Sequence, residues 1–151
     1  MKRKTIIIKL AILIIIPLLG FKKDKCNSDA LYEQVLSKIK KYSVLKDYRI
    51  YFKKKKNLTA ADYEYYIIPL NRGVTYKFYA VSNPDMEGKL IINLYTSEKK
   101  DFMFATSLSQ ASKTVHESIE FKCNNTGNYC IGYYFLDGNE GCGVAVSAFQ
   151  P

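Results

Sequence analysis

Short stretches of alternating apolar and polar residues, separated by turn sequences, dominate the chain from residue 48 to residue 149. Leu90, Ile92 and Leu94 illustrate the alternation, which places apolar side chains on one face of a strand. Residues 83–85, Asn-Pro-Asp, are typical of a turn, because proline presets its dihedral angle and the flanking side chains bond to the local backbone. The pattern predicts six to eight strands in a mainly-β fold, an antiparallel β-sandwich or jelly roll.

One helix is predicted before the strands, over about residues 28–41. Leu31, Val35 and Ile39 recur at helical spacing, and Asn27 or Ser28 is a suitable N-cap. No internal repeat or linker divides the chain. We therefore expect a single domain over residues 21–151, with the helix first and the β-sandwich over about residues 48–150.

The first 20 residues are predicted to be a signal peptide. Basic residues 2–4 precede an apolar run over residues 6–19, and Gly20 is a suitable small residue for cleavage. The run is shorter than the about 20 residues that span a bilayer, which disfavours an uncleaved anchor and predicts no stable membrane span in the mature chain. A lipoprotein anchored through Cys26 is a further alternative, disfavoured by the charged residues 23–25 in front of it.

The predicted location is therefore secreted, periplasmic or in the cell envelope. The chain has 23 basic and 14 acidic residues, and removal of the signal leaves 19 basic residues and a net charge of +5. This charge suits anionic glycans or envelope surfaces. We expect a glycan or an envelope protein as the partner, and no nucleic acid.

The four cysteines indicate structural disulfides, which persist outside the cytoplasm. The cysteines have no Cys-x-x-Cys spacing, and the chain has a single histidine, so a zinc site is not expected. Four cysteines allow three connectivities, and the spacing alone does not choose among them. They are Cys26, Cys123, Cys130 and Cys142.

About half of the chain, from residue 67 to residue 149, resembles a group of uncharacterised secreted β-sandwich proteins of Bacteroidota-type bacteria. Its general shape is also similar to the non-catalytic sandwich modules of secreted peptidases. The resemblance implies a fold far more than an activity. It is carried by residues 72–78, 87–90, 121–123, 126–129 and 137–144.

The resemblance also implies a disulfide between Cys123 and Cys142, which leaves Cys26 and Cys130 to pair or to stay free. The alternation of the flanking strands is compatible with this bond, since Cys123 shares a face with Phe121.

No catalytic residue is predicted. His116 is the sole imidazole, and no Gly-x-Ser-x-Gly sequence supplies a nucleophile for it. We therefore expect a protein that is not an enzyme, with no resident cofactor.

Two acidic turns are the candidate ligand or metal loops. Asp85 and Glu87 lie in one turn, and Asp137 and Glu140 lie in another, each close to glycine. Loops at one end of a sandwich can gather such oxygens around Ca²⁺, although solvated turns have the same composition. Calcium binding is thus an alternative, and the identity of any metal stays open.

Tyrosines and lysines supply the remaining candidate surfaces. Residues 53–56 are four lysines, which favour an edge strand guarded against aggregation over a polyanion site. Our main prediction is an exported, non-enzymatic β-sandwich with a structural or binding role, and the alternative is a carbohydrate-binding module assisted by calcium. The tyrosines that could stack on sugar rings are Tyr63, Tyr65, Tyr79 and Tyr95.

Overall fold

Eight strands and one helix form the protein in the computed structural model, which describes residues 26–150. The helix α1 is Ser28–Lys38. The strands are β1 Ser43–Phe52, β2 Glu64–Leu70, β3 Thr75–Ser82, β4 Leu90–Tyr95, β5 Met103–Thr106, β6 Ser118–Lys122, β7 Gly127–Phe135 and β8 Gly141–Phe149. Single turns of 3₁₀-helix lie at Ala60–Asp62 and Leu136–Gly138.

The strands form two four-stranded antiparallel sheets. Sheet A has the order β1-β8-β3-β6 and sheet B the order β2-β7-β4-β5. The pairs β1·β8, β2·β7, β3·β6 and β4·β5 are all hydrogen-bonded. This nested pairing is the arrangement of a two-stranded ribbon rolled into a sandwich, so the predicted jelly roll with one N-terminal helix is confirmed.

The space between the sheets holds the main core, because alternate residues of every strand point inward. Ile50 of β1, Phe78 of β3 and Ile131 of β7 are each at most 1% exposed. The aromatic rings of Phe104 and Phe121 meet across the gap between the two sheets, with centroids 4.8 Å apart. The apolar alternation in the sequence therefore located this core correctly.

Helix α1 covers the outer face of sheet A. Leu31 and Val35 pack on Val144 and Val146 of β8, and these side chains form a second apolar cluster. Asn27 is the N-cap, and its side chain accepts a hydrogen bond from the backbone N–H of Ala30 at 3.1 Å. Both the existence of this helix and its cap agree with the sequence prediction.

The boundary between α1 and β1 differs from the prediction. The helix ends at Lys38 instead of about residue 41, and β1 begins at Ser43 instead of residue 48. Ile39 and Tyr42 still pack beneath the helix, so the helical spacing continues past the last helical residue. The first five residues of β1 alternate little in burial because they lie on a sheet edge, and no apolar pattern marks them as a strand.

The disulfide corrects the implied pairing of Cys123 with Cys142. Cys142 is bonded to Cys26, with 5.7 Å between their Cα atoms. Cys142 points to the outer face of sheet A, under α1, whereas Cys123 is buried in the core between the sheets. Their side chains lie on opposite faces of sheet A and therefore cannot meet. Cys123 and Cys130 are free and buried.

The bond also bears on how the N-terminal part is processed. A sulfur held in a disulfide cannot carry a lipid thioether, so the lipoprotein alternative through Cys26 is incompatible with this structure. The predicted signal peptide over residues 1–20 lies outside the described residues. Within residues 26–150, no helix has the length and hydropathy needed to cross a membrane.

Candidate functional site

The outer face of sheet B differs from that of sheet A because no α-helix of residues 26–150 packs on it. Its centre is nonetheless buried, with Ile91, Cys130 and Tyr95 at most 8% exposed. Helix α1, the one α-helix of the described residues, contacts β3 and β8 of sheet A. The strand register places two rows of side chains across the outer face of sheet B. These rows are Ile67, Cys130, Tyr95 and Met103, and then Tyr65, Gly132, Asn93 and Thr106.

Four tyrosines cluster on this face. The rings of Tyr63 and Tyr134 are stacked with centroids 4.1 Å apart, and those of Tyr65 and Tyr95 meet edge-on at 5.9 Å. Gly132 permits this arrangement, since a Cβ atom there would lie 2.9 Å from Cε1 of Tyr65. The cluster therefore depends on a glycine in the middle of β7.

Burial raises the pKa of three tyrosine hydroxyls on this face, those of Tyr63, Tyr65 and Tyr134. Burial, with a smaller contribution from Tyr63, raises the pKa of Tyr134 to about 12. Burial and the neighbouring Tyr95 also raise the pKa of Tyr65, whose hydroxyl donates to the backbone carbonyl of Ala60 at 3.0 Å. These hydroxyls therefore ionise at a higher pH than that of a free tyrosine.

Large apolar side chains are exposed beside the cluster. Ile67 is 44% exposed, Phe102 63% and Met103 43%. They are three of the six large apolar residues that are exposed among residues 26–150, the other three lying on β1. Ile67 lies on β2 and Met103 on β5, the two edge strands of sheet B, so they flank the face from opposite sides. We call Tyr63, Tyr65, Ile67, Phe102 and Met103, with the strand residues between them, the B face.

Lys100 lies over the B face. Its ammonium is 4.0 Å from the ring centroid of Tyr65, within the range of a cation–π contact. Its backbone has a positive φ of 60°, which is uncommon for a residue other than glycine. The thiol of Cys130 is buried below this region; burial raises its pKa, and the positive charge of Lys100 opposes part of that rise. Lys100 thus places a positive charge against the ring of Tyr65.

The edge strands of both sheets are poorly suited to pairing with a strand of another protein. β1 has an irregular register between Val44 and Lys46, and β2 contains Pro69. β5 has four residues and β6 has five. Irregular register, proline and short length all discourage edge-to-edge pairing. The four lysines at residues 53–56 directly follow edge strand β1, as expected for a guarded edge.

The acidic turns meet only in part. Asp85, Glu87 and Glu140 line a cleft of about 750 Å³ next to the first half of α1, but Asp137 does not. Glu87 forms an ion pair with Lys54 at 3.5 Å, and Glu140 accepts a hydrogen bond from Tyr51 at 2.9 Å. Two of the three carboxylates in the cleft therefore already have partners within the chain.

A metal site does not emerge from these turns. Across residues 26–150, no three histidine, cysteine or acidic side chains are grouped so that they could hold a metal ion. Calcium binding stays a prediction that this geometry does not favour.

His116 lies just before β6, and two glutamates close to it in sequence accept hydrogen bonds from tyrosines. The carboxylate of Glu117 accepts a hydrogen bond from the hydroxyl of Tyr79, and that of Glu120 accepts one from Tyr42 at 2.5 Å. Tyr79 is thus buried beneath α1, on sheet A, and is separate from the tyrosines of the B face. Of the four tyrosines that the sequence singled out, the other three lie together.

Sequence reasoning missed several residues of this surface. Ile67, Phe102, Met103 and Lys100 were not predicted as site residues. The sequence does contain one indication, since Ile67 and Ile68 are adjacent apolar residues in a strand that also contains a proline. A strand with apolar residues on both faces, at a sheet edge, points to an exposed apolar surface.

A comparison with solved structures identifies a protein of similar fold. No protein-family profile matches the sequence, and no curated protein matches it. The structure is similar to the crystal structure of PliG from Aeromonas hydrophila, a periplasmic lysozyme inhibitor of g-type lysozyme. The TM-score is 0.51 at 10% identity, and the match covers 72% of this chain and 88% of that chain. At this identity the similarity shows a shared fold.

Proposed function

We propose that the chain is an exported, non-enzymatic module that binds another protein through the B face. The observation that carries this proposal is the exposure of Ile67 and Met103 on the two edge strands of the outer face of sheet B, with Phe102 exposed directly before β5. Burying such side chains against a partner is favourable by about 1.5–3 kcal/mol for each one fully removed from water.

Two further observations support the proposal. PliG, which shares the fold, is a periplasmic inhibitor of another protein. The Cys26–Cys142 disulfide suits an oxidising compartment, where such bonds persist. Both agree with an extracytoplasmic binding role.

The geometry of the tyrosines favours a protein partner over the carbohydrate alternative. Stacking on a sugar requires a free ring face. One face of Tyr63 is occupied by Tyr134, and the ammonium of Lys100 lies over Tyr65. The side chains that are exposed beyond 40%, Ile67 and Phe102 among them, are those that a protein surface would bury.

Site-specific photocrosslinking tests the proposal. A benzophenone amino acid replaces Ile67 in cells that produce the protein, and a matched variant carries it at Leu45. Both positions are 44% exposed, but Leu45 lies on β1 of sheet A. We expect a discrete protein adduct from position 67 and none from position 45.

Equal adducts from both positions, or none from position 67, would contradict the proposal. An adduct that disappears with glycosidases but resists proteases would support the carbohydrate alternative instead. The variant Ile67→Asp, with Leu45→Asp as its control, should abolish binding of the identified protein while the melting temperature stays close to that of the control.

A further inference from the structure

We infer that the chain docks on the anionic surface of a phospholipid bilayer through one end of sheet A. This surface is separate from the B face, so the inference does not rest on the proposed function.

The segment that joins α1 to β1 carries much of the positive charge at this end. Residues 34–46 contain four lysines and no acidic residue. Lys38 lies in the last turn of α1, where it suits the partial negative charge of a helix C-terminus. Lys40 and Lys41 lie beyond the helix, and all three side chains are exposed. The helix dipole therefore accounts for only one of these three lysines.

Two strands of sheet A place further lysines beside this segment. The ammonium of Lys77 on β3 is 5.4 Å from the ring centroid of Tyr42, which lies between α1 and β1. Tyr42 donates a hydrogen bond to Glu120 of β6, and Lys122 follows two residues later on the same face of that strand. We call the resulting group of five lysines the basic end of sheet A. Its members are Lys38, Lys40, Lys41, Lys77 and Lys122.

Carboxylates do not neutralise the basic end. Glu120 lies opposite Lys77 in the strand register and accepts the hydrogen bond from Tyr42 at 2.5 Å. Asp47 on β1 forms an ion pair with Arg49 at 2.6 Å. Within residues 26–150, no ion pair joins any of the five lysines to a carboxylate. The basic end therefore keeps a net positive charge.

The charges of the helix side of sheet A are separated along α1. Asp85, Glu87 and Glu140 line the cleft next to the first half of the helix, whereas the basic end begins in its last turn. Such a separation orients a protein near a charged surface, because the surface attracts one end and repels the other. An anionic surface would therefore meet the C-terminal end of α1 first.

Two exposed apolar residues favour a bilayer over a soluble polyanion. Val44 is 39% exposed and Leu45 is 44% exposed. Leu45 is an extra residue in β1 without a partner in β8, at the point where the register shifts. Val44 lies in the same cross-strand row as Lys77, since both pair with Ala148. Surfaces of this kind bind at the headgroup boundary of a bilayer, where lysines meet the lipid phosphates and the apolar side chains leave water.

Sedimentation with lipid vesicles tests the inference. The disulfide-bonded protein is purified from cells that export it and is mixed with vesicles of equal parts phosphatidylglycerol and phosphatidylcholine, or of phosphatidylcholine alone. We expect binding to the anionic vesicles that weakens as salt is added, and much weaker binding to the neutral vesicles. Equal binding to both kinds of vesicle would overturn the inference. Binding to soluble polyphosphate without binding to anionic vesicles would also overturn it, and would identify a polymer as the ligand.

Lysine variants of equal charge locate the surface. Replacing three exposed lysines of the basic end by glutamine should weaken binding to the anionic vesicles by about 100-fold, since each lysine near such a surface contributes about fivefold. Three exposed lysines at the opposite end of the strands serve as the control, and their replacement should weaken binding much less. Equal losses would show that net charge alone drives binding and would overturn the role of the basic end. The first variant combines Lys38→Gln, Lys40→Gln and Lys41→Gln, and the control combines Lys53→Gln, Lys56→Gln and Lys89→Gln.

A substitution of Leu45 tests the apolar contact. Leu45→Ser should weaken binding to the anionic vesicles by about fivefold, and this loss should persist at high salt because it removes apolar burial. Ile67→Ser is the matched control, since Ile67 is also 44% exposed but lies on the B face. Binding that is unaffected by Leu45→Ser, or reduced equally by both substitutions, would overturn the contact of β1 with the bilayer.

Discussion

Removal of the Cys26–Cys142 disulfide gives the largest change in stability that we predict. The bond closes a loop of 116 residues, and the chain-entropy model assigns such a loop about 5 kcal/mol at 25 °C. Measured effects are commonly about 2–4 kcal/mol, because unfolded chains retain contacts. A domain of this size is stable by about 5–15 kcal/mol, so the loss would be a large part of the total. Cys26→Ala is the suitable variant, since Cys142 is fully buried and its replacement would also disturb packing.

Urea denaturation followed by far-ultraviolet circular dichroism measures this loss. We expect the free energy of unfolding of Cys26→Ala to fall by about 2–5 kcal/mol. Dithiothreitol should bring the parent protein to the stability of the variant and leave the variant itself unchanged. If the variant lost less than about 1 kcal/mol, or if the reductant destabilised both proteins equally, the reasoning from loop closure would be wrong.

Three further results are expected. Burial raises the pKa of Tyr129 and of Tyr134 to about 12, so the folded state keeps protons that the unfolded state releases above pH 10. The contribution of these two tyrosines to stability should be constant below pH 10 and fall by up to about 1.4 kcal/mol per pH unit per tyrosine as pH rises to 12. Tyrosinate absorbance is undisturbed because the chain lacks tryptophan, and it should show some of the 13 tyrosines ionising only well above pH 10; ionisation of all of them near pH 10 would disprove the prediction. Cys123 and Cys130 are each 1% exposed, so Ellman's reagent should detect two thiols only after denaturation, and rapid reaction of either in the native protein would contradict the structure. Val35→Ala should lower the free energy of unfolding by about 2 kcal/mol through a cavity under α1, whereas Ser37→Ala on the exposed side of the helix should change it little; equal losses would argue against the docked helix.

The sandwich could be predicted from the sequence because alternate residues of its strands are apolar and face the space between the sheets. Leu90, Ile92 and Leu94 alternate clearly, and all three are buried between the sheets. The ends of the helix and of the strands were hardest to predict where the apolar alternation is absent. The first residues of β1 lie at a sheet edge with little burial, and Tyr42 packs in register with the helix although it lies beyond the last helical residue, Lys38.

The candidate site was predicted only in part. The sequence singled out Tyr63, Tyr65 and Tyr95, which do lie together, but it also included Tyr79, which α1 covers. Alternation shows that a residue points out of the core but does not show which sheet a helix will cover. The predicted cysteine pairing was wrong for a related reason, since the sequence did not show that Cys123 and Cys142 lie on opposite faces of sheet A.

The nested strand pairs suggest an order of folding. β4 and β5 are close in sequence and are expected to pair early, whereas β1 and β8 are separated by nearly the whole domain and are expected to pair late. The Cys26–Cys142 bond joins these same distant parts. A chain that emerges from a translocon with its N-terminus first cannot close this bond until its final strand has arrived. Formation of the Cys26–Cys142 bond would therefore mark the arrival of the last strand.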